Sequence, residues 1–528
     1  MSALAEARPA PREIAADLDN ALARADWRRQ VSWPVGLAEA NRIGSEQMRA
    51  GLRWARQCDD PLLRDACLLA LPVILSYARA IVLAALAAER AARAGARLVA
   101  AAPEFAYLQD GEGRPPARPE AILPPALVNL SLLRRLARMR TWTAPARLPR
   151  ALLRPDAVAV SHNPLLCAVA ANVGRAVGFR HAETMLDAAR RRAGGVPASR
   201  GDAAAVAQAL VGESLLNEPY RRRALDLIAA TARPHLDKAL ADMMDLRAVP
   251  LPHEIWSGSG GLYAPRALGL EVLRRGGRVT RFDHGTPREF VATAEVTALL
   301  ELAVSSEFVL ATEPAAAICR AQIDASLLDP ARLVTIRGAQ GDPVFARVPA
   351  RRPAKPPGER LRVVYAPTQL LGFRQLLPAQ PPDVIYLDWQ MRVAEALRDL
   401  GVDFVCQAHP EGLLKDRPHP LAEVAPTLRG NFDTQLQAAD VFVFDTPTTT
   451  ALWQAICTDA RIIYLDIGAG QMTAPIAELF KARATVIAAA PDRDNRPQLD
   501  AAGLRAAVLD GKRADDPTAF RRLLAGDA

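Results

Sequence analysis

Aromatic residues are scarce in this 528-residue chain, 5% of the total against 50% hydrophobic overall, so the interior has to be assembled mainly from Ala, Leu and Val. Lysine is rarer still, occurring only at Lys238, Lys355, Lys415, Lys481 and Lys512. The formal charge of +8 therefore rests on arginines scattered along the chain. No basic stretch is interleaved with stacking aromatics, so nucleic-acid binding is not expected. The six cysteines (Cys58, Cys67, Cys167, Cys319, Cys406, Cys457) never fall into a CxxC pair, which argues against a thiolate metal or redox site. No GxxxxGK[ST] loop, HExxH helix or GxSxG elbow is present, and His181, His235, His253 and His419 stand alone. No metal site and no cofactor are expected.

Met1 to Asn20 is Ala-rich but interrupted by Glu6, Arg8, Arg12, Glu13 and Asp17, so it lacks the pattern of a signal peptide. Ala66 to Ala88 is apolar enough and long enough to span a membrane, but Arg79 stands at its centre. A central arginine costs roughly 2.5 to 3.5 kcal/mol in a bilayer, which favours a buried helix in a soluble bundle. The expected location is the cytoplasm, with peripheral attachment at the inner face of the membrane as the alternative.

The length suggests about three units, at roughly 100 to 200 residues per domain. Residues 1–95 carry helical periodicity, at Ala21 to Arg29, Glu39 to Arg56 and the apolar segment just described. From residue 96 to 344 short β-rich runs alternate with helices: Leu98 to Ala101, Ala157 to Ser161, Glu254 to Ser257, Val279 to Asp283, Phe308 to Thr312 and Leu333 to Ile336. Residues 345–360 read FARVPARRPAKPPGER, a stiff, extended linker. The alternation restarts over 361–500, with strands at Val363 to Tyr365, Phe404 to Gln407, Val441 to Phe444, Ile462 to Leu465 and Thr485 to Ile487. Residues 501–528 are expected to hold a terminal helix, Leu504 to Leu524, packing back across the pair. The fold class is α/β, with parallel sheets covered by helices.

Ligands in such sheets bind beyond the carboxyl ends of the strands, which selects a short set of loops. Asp283, His284, Gly285 and Thr286 follow one strand, and a histidine there is placed to act as a general base. Gln407 leads into His409, Pro410 and Glu411, where an imidazole can donate to a phosphate oxygen or protonate a leaving group. Asp445, Thr446, Thr448, Thr449 and Thr450 run from a strand into a helix, a grouping that suits phosphate or, more plainly, ordinary N-capping. Ser257, Gly258, Gly260 and Gly261 form a glycine-rich loop on the acceptor side, where the backbone is open to a ligand or simply turns.

Taken in order, HGTP at His284, YAPT from Tyr365 to Thr368, HP at His409 and AADVFVFDTPTTT from Ala438 resemble the CDP-glycerol glycerophosphotransferase family and related capsule polysaccharide glycosyltransferases. The resemblance covers about Glu254 to Ala490. It implies a GT-B architecture, two Rossmann-like domains facing across a cleft, here preceded by the helical region. It also implies His284 as the catalytic base and His409 as a second catalytic histidine at the donor phosphates. Thr368, Pro410, Glu411 and the Asp445 to Thr450 turn would bind the donor. The implied enzyme transfers a sugar or polyol-phosphate from a nucleotide-activated donor to a surface polysaccharide or lipid-linked glycan. This chain departs from the family in having Arg288 and Glu289 after HGTP, and Pro447-Thr448-Thr449 where a Tyr-Ser-Ser is usual. A nucleotide-sugar epimerase of the same fold and a non-catalytic glycan-binding or scaffold protein are the alternatives.

Overall fold

The computed structural model describes residues 12–116, 132–193, 202–212, 215–258, 260–285, 287–353, 358–430, 432–511 and 516–526. Its centre is a pair of six-stranded parallel sheets. Two short strands, β1 (Arg12–Ala15) and β2 (Ala96–Val99), pair with each other outside them. The run expected from Leu98 thus belongs with the N-terminal helices and not with the first large sheet.

That sheet comprises β3 (Ala157–Ala159), β4 (Val177–Phe179), β5 (Glu254–Ser257), β6 (Arg278–Phe282), β7 (Glu307–Leu310) and β8 (Thr335–Gly338), in the order β4-β3-β5-β6-β7-β8. The second comprises β9 (Arg362–Tyr365), β10 (Asp403–Gln407), β11 (Thr427–Leu428), β12 (Val441–Phe444), β13 (Arg461–Asp466) and β14 (Ala484–Ala488), in the order β11-β10-β9-β12-β13-β14. Counted along the chain this is 3-2-1-4-5-6, the strand order of a Rossmann sheet, whose direction of winding reverses between β9 and β12. The strands read as unbroken apolar runs such as Val441–Phe444 because both faces are covered, and every residue of that strand is buried.

The N-terminal helices pack around Pro61–Arg93, a 33-residue helix capped by the Asp60 carboxylate on the Leu62 amide at 2.9 Å. It is long and apolar enough to cross a membrane, yet 89% of its most apolar window lies inside the protein, against Leu37–Arg56 and Tyr220–Arg247. Arg79 is buried with it and donates to the carbonyls of Gly44 and Gln375, both at 3.3 Å. Burial pushes its pKa down to about 10, so the guanidinium stays charged at neutral pH. Its contact with Gln375 ties the helices to the loop that follows β9. Asn41 accepts from the Ala379 amide at 2.7 Å and the Ser76 carbonyl from the Gln375 amide at 3.1 Å, holding the same loop.

Chain from both sheets meets in one aromatic cluster. Phe290, shortly after β6, stands edge-on to Trp453 with centroids 4.9 Å apart, and Phe520 touches both rings. Phe520 lies on the helix Thr518–Leu524, which also receives the Thr312 hydroxyl on the Leu523 carbonyl at 2.7 Å. The single terminal helix expected from Leu504 is instead two, Ala501–Leu509 and Thr518–Leu524. A side chain on Gly511 would come within 2.4 Å of the Ala507 carbonyl, which marks where the first helix stops. The linker expected at 345–360 also begins inside the core, since Phe345 and Val348 are buried in this cluster. Further along, Arg352 is fixed by Asp459 at 2.7 Å; residues 354–357 lie outside the described set.

Removing one ring of this cluster leaves a cavity between the two sheets. Phe520→Ala is expected to lower the unfolding free energy by about 3 to 5 kcal/mol. Chemical denaturation measures this, and an unchanged midpoint would mean that the terminal helix does not hold the two halves together.

Candidate functional site

The loops at the carboxyl ends of β6, β9, β10 and β12 open onto one cavity of about 540 Å³. From the first sheet come His284 and Arg288; from the second come Ala366 to Gln369, Gln407 to Pro410 and Thr448 to Ala451. This is the reversal point of the second sheet, between β9 and β12, where Rossmann sheets take their ligands. The histidines and hydroxyls singled out in the sequence thus meet in space: His284, Thr368, His409, Pro410, Thr448, Thr449 and Thr450 all line it.

His284 is held by the turn that follows it. Gly285 adopts φ +87°, the left-handed region glycine favours, and a β-carbon there would lie 3.6 Å from Thr450 Cγ2. The loop therefore rests directly on the Thr448–Thr450 turn of the other sheet. His284 keeps 37% of its side-chain surface accessible, at the cavity wall. Burial, aided by the neighbouring Arg288 cation, pushes its pKa down to about 4, so the imidazole is neutral at physiological pH. Asp283 sits beneath it, pushed up to about 8 by burial. Thr286 lies outside the described residues.

His409 Nδ1 faces the main chain of Glu411, 3.1 Å from its amide nitrogen and 3.2 Å from its carbonyl oxygen, which leaves Nε2 toward the other side of the ring. Burial lowers its pKa, an effect the Glu411 backbone and charge oppose. The Glu411 carboxylate is exposed, pairs with Lys415 at 3.0 Å and does not line the cavity.

Several other expected contacts lie outside the cavity. Asp445 is enclosed, and its carboxylate accepts from Tyr365 Oη at 2.6 Å, Tyr386 Oη at 2.8 Å and Trp389 Nε1 at 3.1 Å. It braces the floor beneath the turn. Thr446 is buried too, its hydroxyl 3.0 Å from that of Thr448. Thr449 caps the helix Thr450–Ala455, accepting the Ala451 amide at 3.3 Å. Trp453 fixes the turn from the other side by donating to the Pro447 carbonyl at 2.8 Å.

The glycine-rich loop has a packing reason for its glycines. A β-carbon on Gly258 would fall 2.1 Å from that of Asn163, and one on Gly260 would fall 1.8 Å from the Leu300 carbonyl. Ser257 is buried and accepts from Arg281 at 2.7 Å. None of Ser257, Gly258, Gly260 and Gly261 lines the cavity. Asn163 closes this corner by donating to the Asp283 carbonyl at 2.8 Å, which joins the ends of β3 and β6.

Other polar residues not singled out as site residues also line the cavity, among them Gln369, Gln380, Gln454 and Arg288, and helical spacing from Thr450 was the available signal for Gln454. Among the described residues no group of three or more His, Cys, Asp or Glu is arranged to hold a metal ion.

Burial raises the Asp445 pKa from the ordinary 3.8 to about 6, against the pull of its three donors. Its contribution to stability is fully present below about 3.8 and is lost as pH rises through about 6. The stability difference between wild type and Asp445→Asn should therefore shift between pH 4 and 7, by at most ~3 kcal/mol. A pH-independent difference in urea titrations would show that folding does not raise the Asp445 pKa. Comparison with known proteins finds no matching protein family and no matching curated protein.

Proposed function

We propose that the protein is a GT-B-type transferase that moves a sugar or polyol-phosphate from a nucleotide-activated donor to a surface polysaccharide or lipid-linked glycan. The observation that carries this is the shared cavity: a neutral histidine from one parallel sheet faces a histidine and threonine hydroxyls at the reversal point of another. The sequence resemblance to CDP-glycerol and capsule transferases supports the same assignment.

In this scheme the second sheet takes the donor. The His409 imidazole and the Thr448–Thr450 turn lie against its phosphates, and Thr368 flanks them. His284 removes the proton from the acceptor hydroxyl as that oxygen attacks the donor. The bond between the transferred group and the nucleotide breaks, and the leaving phosphate keeps the electron pair. Catalysis then comes from alignment and from stabilising phosphate charge, without a covalent intermediate. An anionic donor beside the His284 imidazole raises its pKa and so its basicity when catalysis is due.

His284→Ala should abolish turnover and leave donor binding intact, measured by calorimetry across CDP, CMP, UDP and GDP. Binding to none of these nucleotides favours a non-catalytic scaffold. For the wild type, kcat/KM should keep its acid limb near pH 4, because protonated His284 is disfavoured by burial and by Arg288. The limb of kcat should lie higher. An acid limb in kcat/KM near the ordinary histidine value of 6.5 would show that burial and Arg288 do not lower the His284 pKa, and unchanged turnover in His284→Ala would remove it as the base.

A further inference from the structure

Several guanidinium groups in this protein are held by named partners. Arg175 clamps Glu254 through two bonds at 2.7 and 2.8 Å, and Arg190 clamps Asp242 at 2.7 and 2.9 Å. Arg266 is held by the Leu68 and Gly260 carbonyls, and Arg281 by Ser257 Oγ and the Pro265 carbonyl. Arg288 differs in its surroundings, with 20% of its side chain accessible at the cavity wall. Among the described residues it has no hydrogen-bond partner, and its Nε, like that of Arg79, is buried without one. The nearest carboxylate oxygen, Glu301 Oε1, stands 4.0 Å away and is itself unpartnered. The other Glu301 oxygen is taken by the Gly260 amide at 3.1 Å, which keeps that carboxylate from swinging toward Arg288.

Among the described residues, Arg288 is also the only lysine or arginine lining the reaction cavity. Its backbone belongs to the turn Arg288–Phe290, and Phe290 is locked between Trp453 and Phe520. The backbone that carries Arg288 is therefore fixed relative to Thr448–Thr450. A planar guanidinium with open donors, in a cavity with no other side-chain cation, is suited to a phosphate or carboxylate group.

We propose that Arg288 is the anion-binding residue of this cavity, taking a phosphate oxygen of the ligand from the side opposite His409. Built on the transferase assignment above, this has the donor held by both halves of the protein at once. Glu301 fixes the orientation of the guanidinium by charge, at a distance that leaves its donors open to the incoming oxyanion.

The test is calorimetric titration of the full chain with inorganic pyrophosphate and with CDP. Arg288→Gln should weaken both by about 10- to 100-fold, the usual weight of a hydrogen bond to a charged group, with the circular dichroism spectrum and thermal midpoint unchanged. Arg288→Lys keeps the charge without the fork and should lie between the two, which also covers the case where Arg288→Gln does not fold. Wild-type binding with undiminished affinity in the variants would overturn the role of Arg288 alone and leave the donor site standing. If the wild type binds neither probe, the donor site itself falls and this role falls with it.

Discussion

The contact on which the rest of the site depends is Trp453 against Phe290. Its indole N–H holds the Pro447 carbonyl and so sets the turn that presents Thr448–Thr450. Its ring face receives Phe290, two residues after Arg288 and six after His284, and Phe520 closes the cluster from the C-terminal helix. In a chain with so few aromatic residues, several of them converge on the one place where the two sheets must keep register. Large, rigid rings suit that task, because they bury much area at little loss of rotamer freedom.

Polar groups follow two rules in different places. Beneath the site they are satisfied: Asp445 has three donors, and Asp383 accepts the Leu371 and Gly372 amides at 2.9 and 2.7 Å to pin the loop after β9. Around His284 they are not. Asp283, Arg288, Glu289 and Glu301 each retain a buried atom without a partner. Open atoms of this kind occur elsewhere too, on Arg79 and Gln390 among others, and each is costly in an ordinary core. The N-terminal helices take part as well, since Arg79, Asn41 and Ser76 hold the loop that walls the cavity.

Much of this was legible along the chain. Runs such as Glu254–Ser257 and Val441–Phe444 are continuous, β-branched or aromatic, and bounded by turns, so their ends fell where expected. Val177–Phe179 was not legible, because Gly178 interrupts it; a β-carbon there would lie 2.6 Å from the Ala151 carbonyl. Thr427–Leu428 is a two-residue edge strand and carries almost no pattern. Among the site residues, His284, His409 and the threonines could be picked out because polar residues directly after a buried strand are conspicuous. Ser257 to Gly261 had the same signature for a different reason, close packing against Asn163 and Leu300.

What the amino-acid sequence by itself determined is local: which segments alternate as strands and helices, and which polar residues stand at strand ends. Those follow from side-chain periodicity and backbone preference, which act over a few residues. Only the tertiary structure decided which of those residues share a cavity. It turned the Asp445 carboxylate inward to the Tyr365, Tyr386 and Trp389 donors, turned Glu411 out to Lys415, and brought Arg288 to the cavity wall. Each of these depends on what lies across the fold, because burial and pairing are set by neighbours that the order of residues does not reveal.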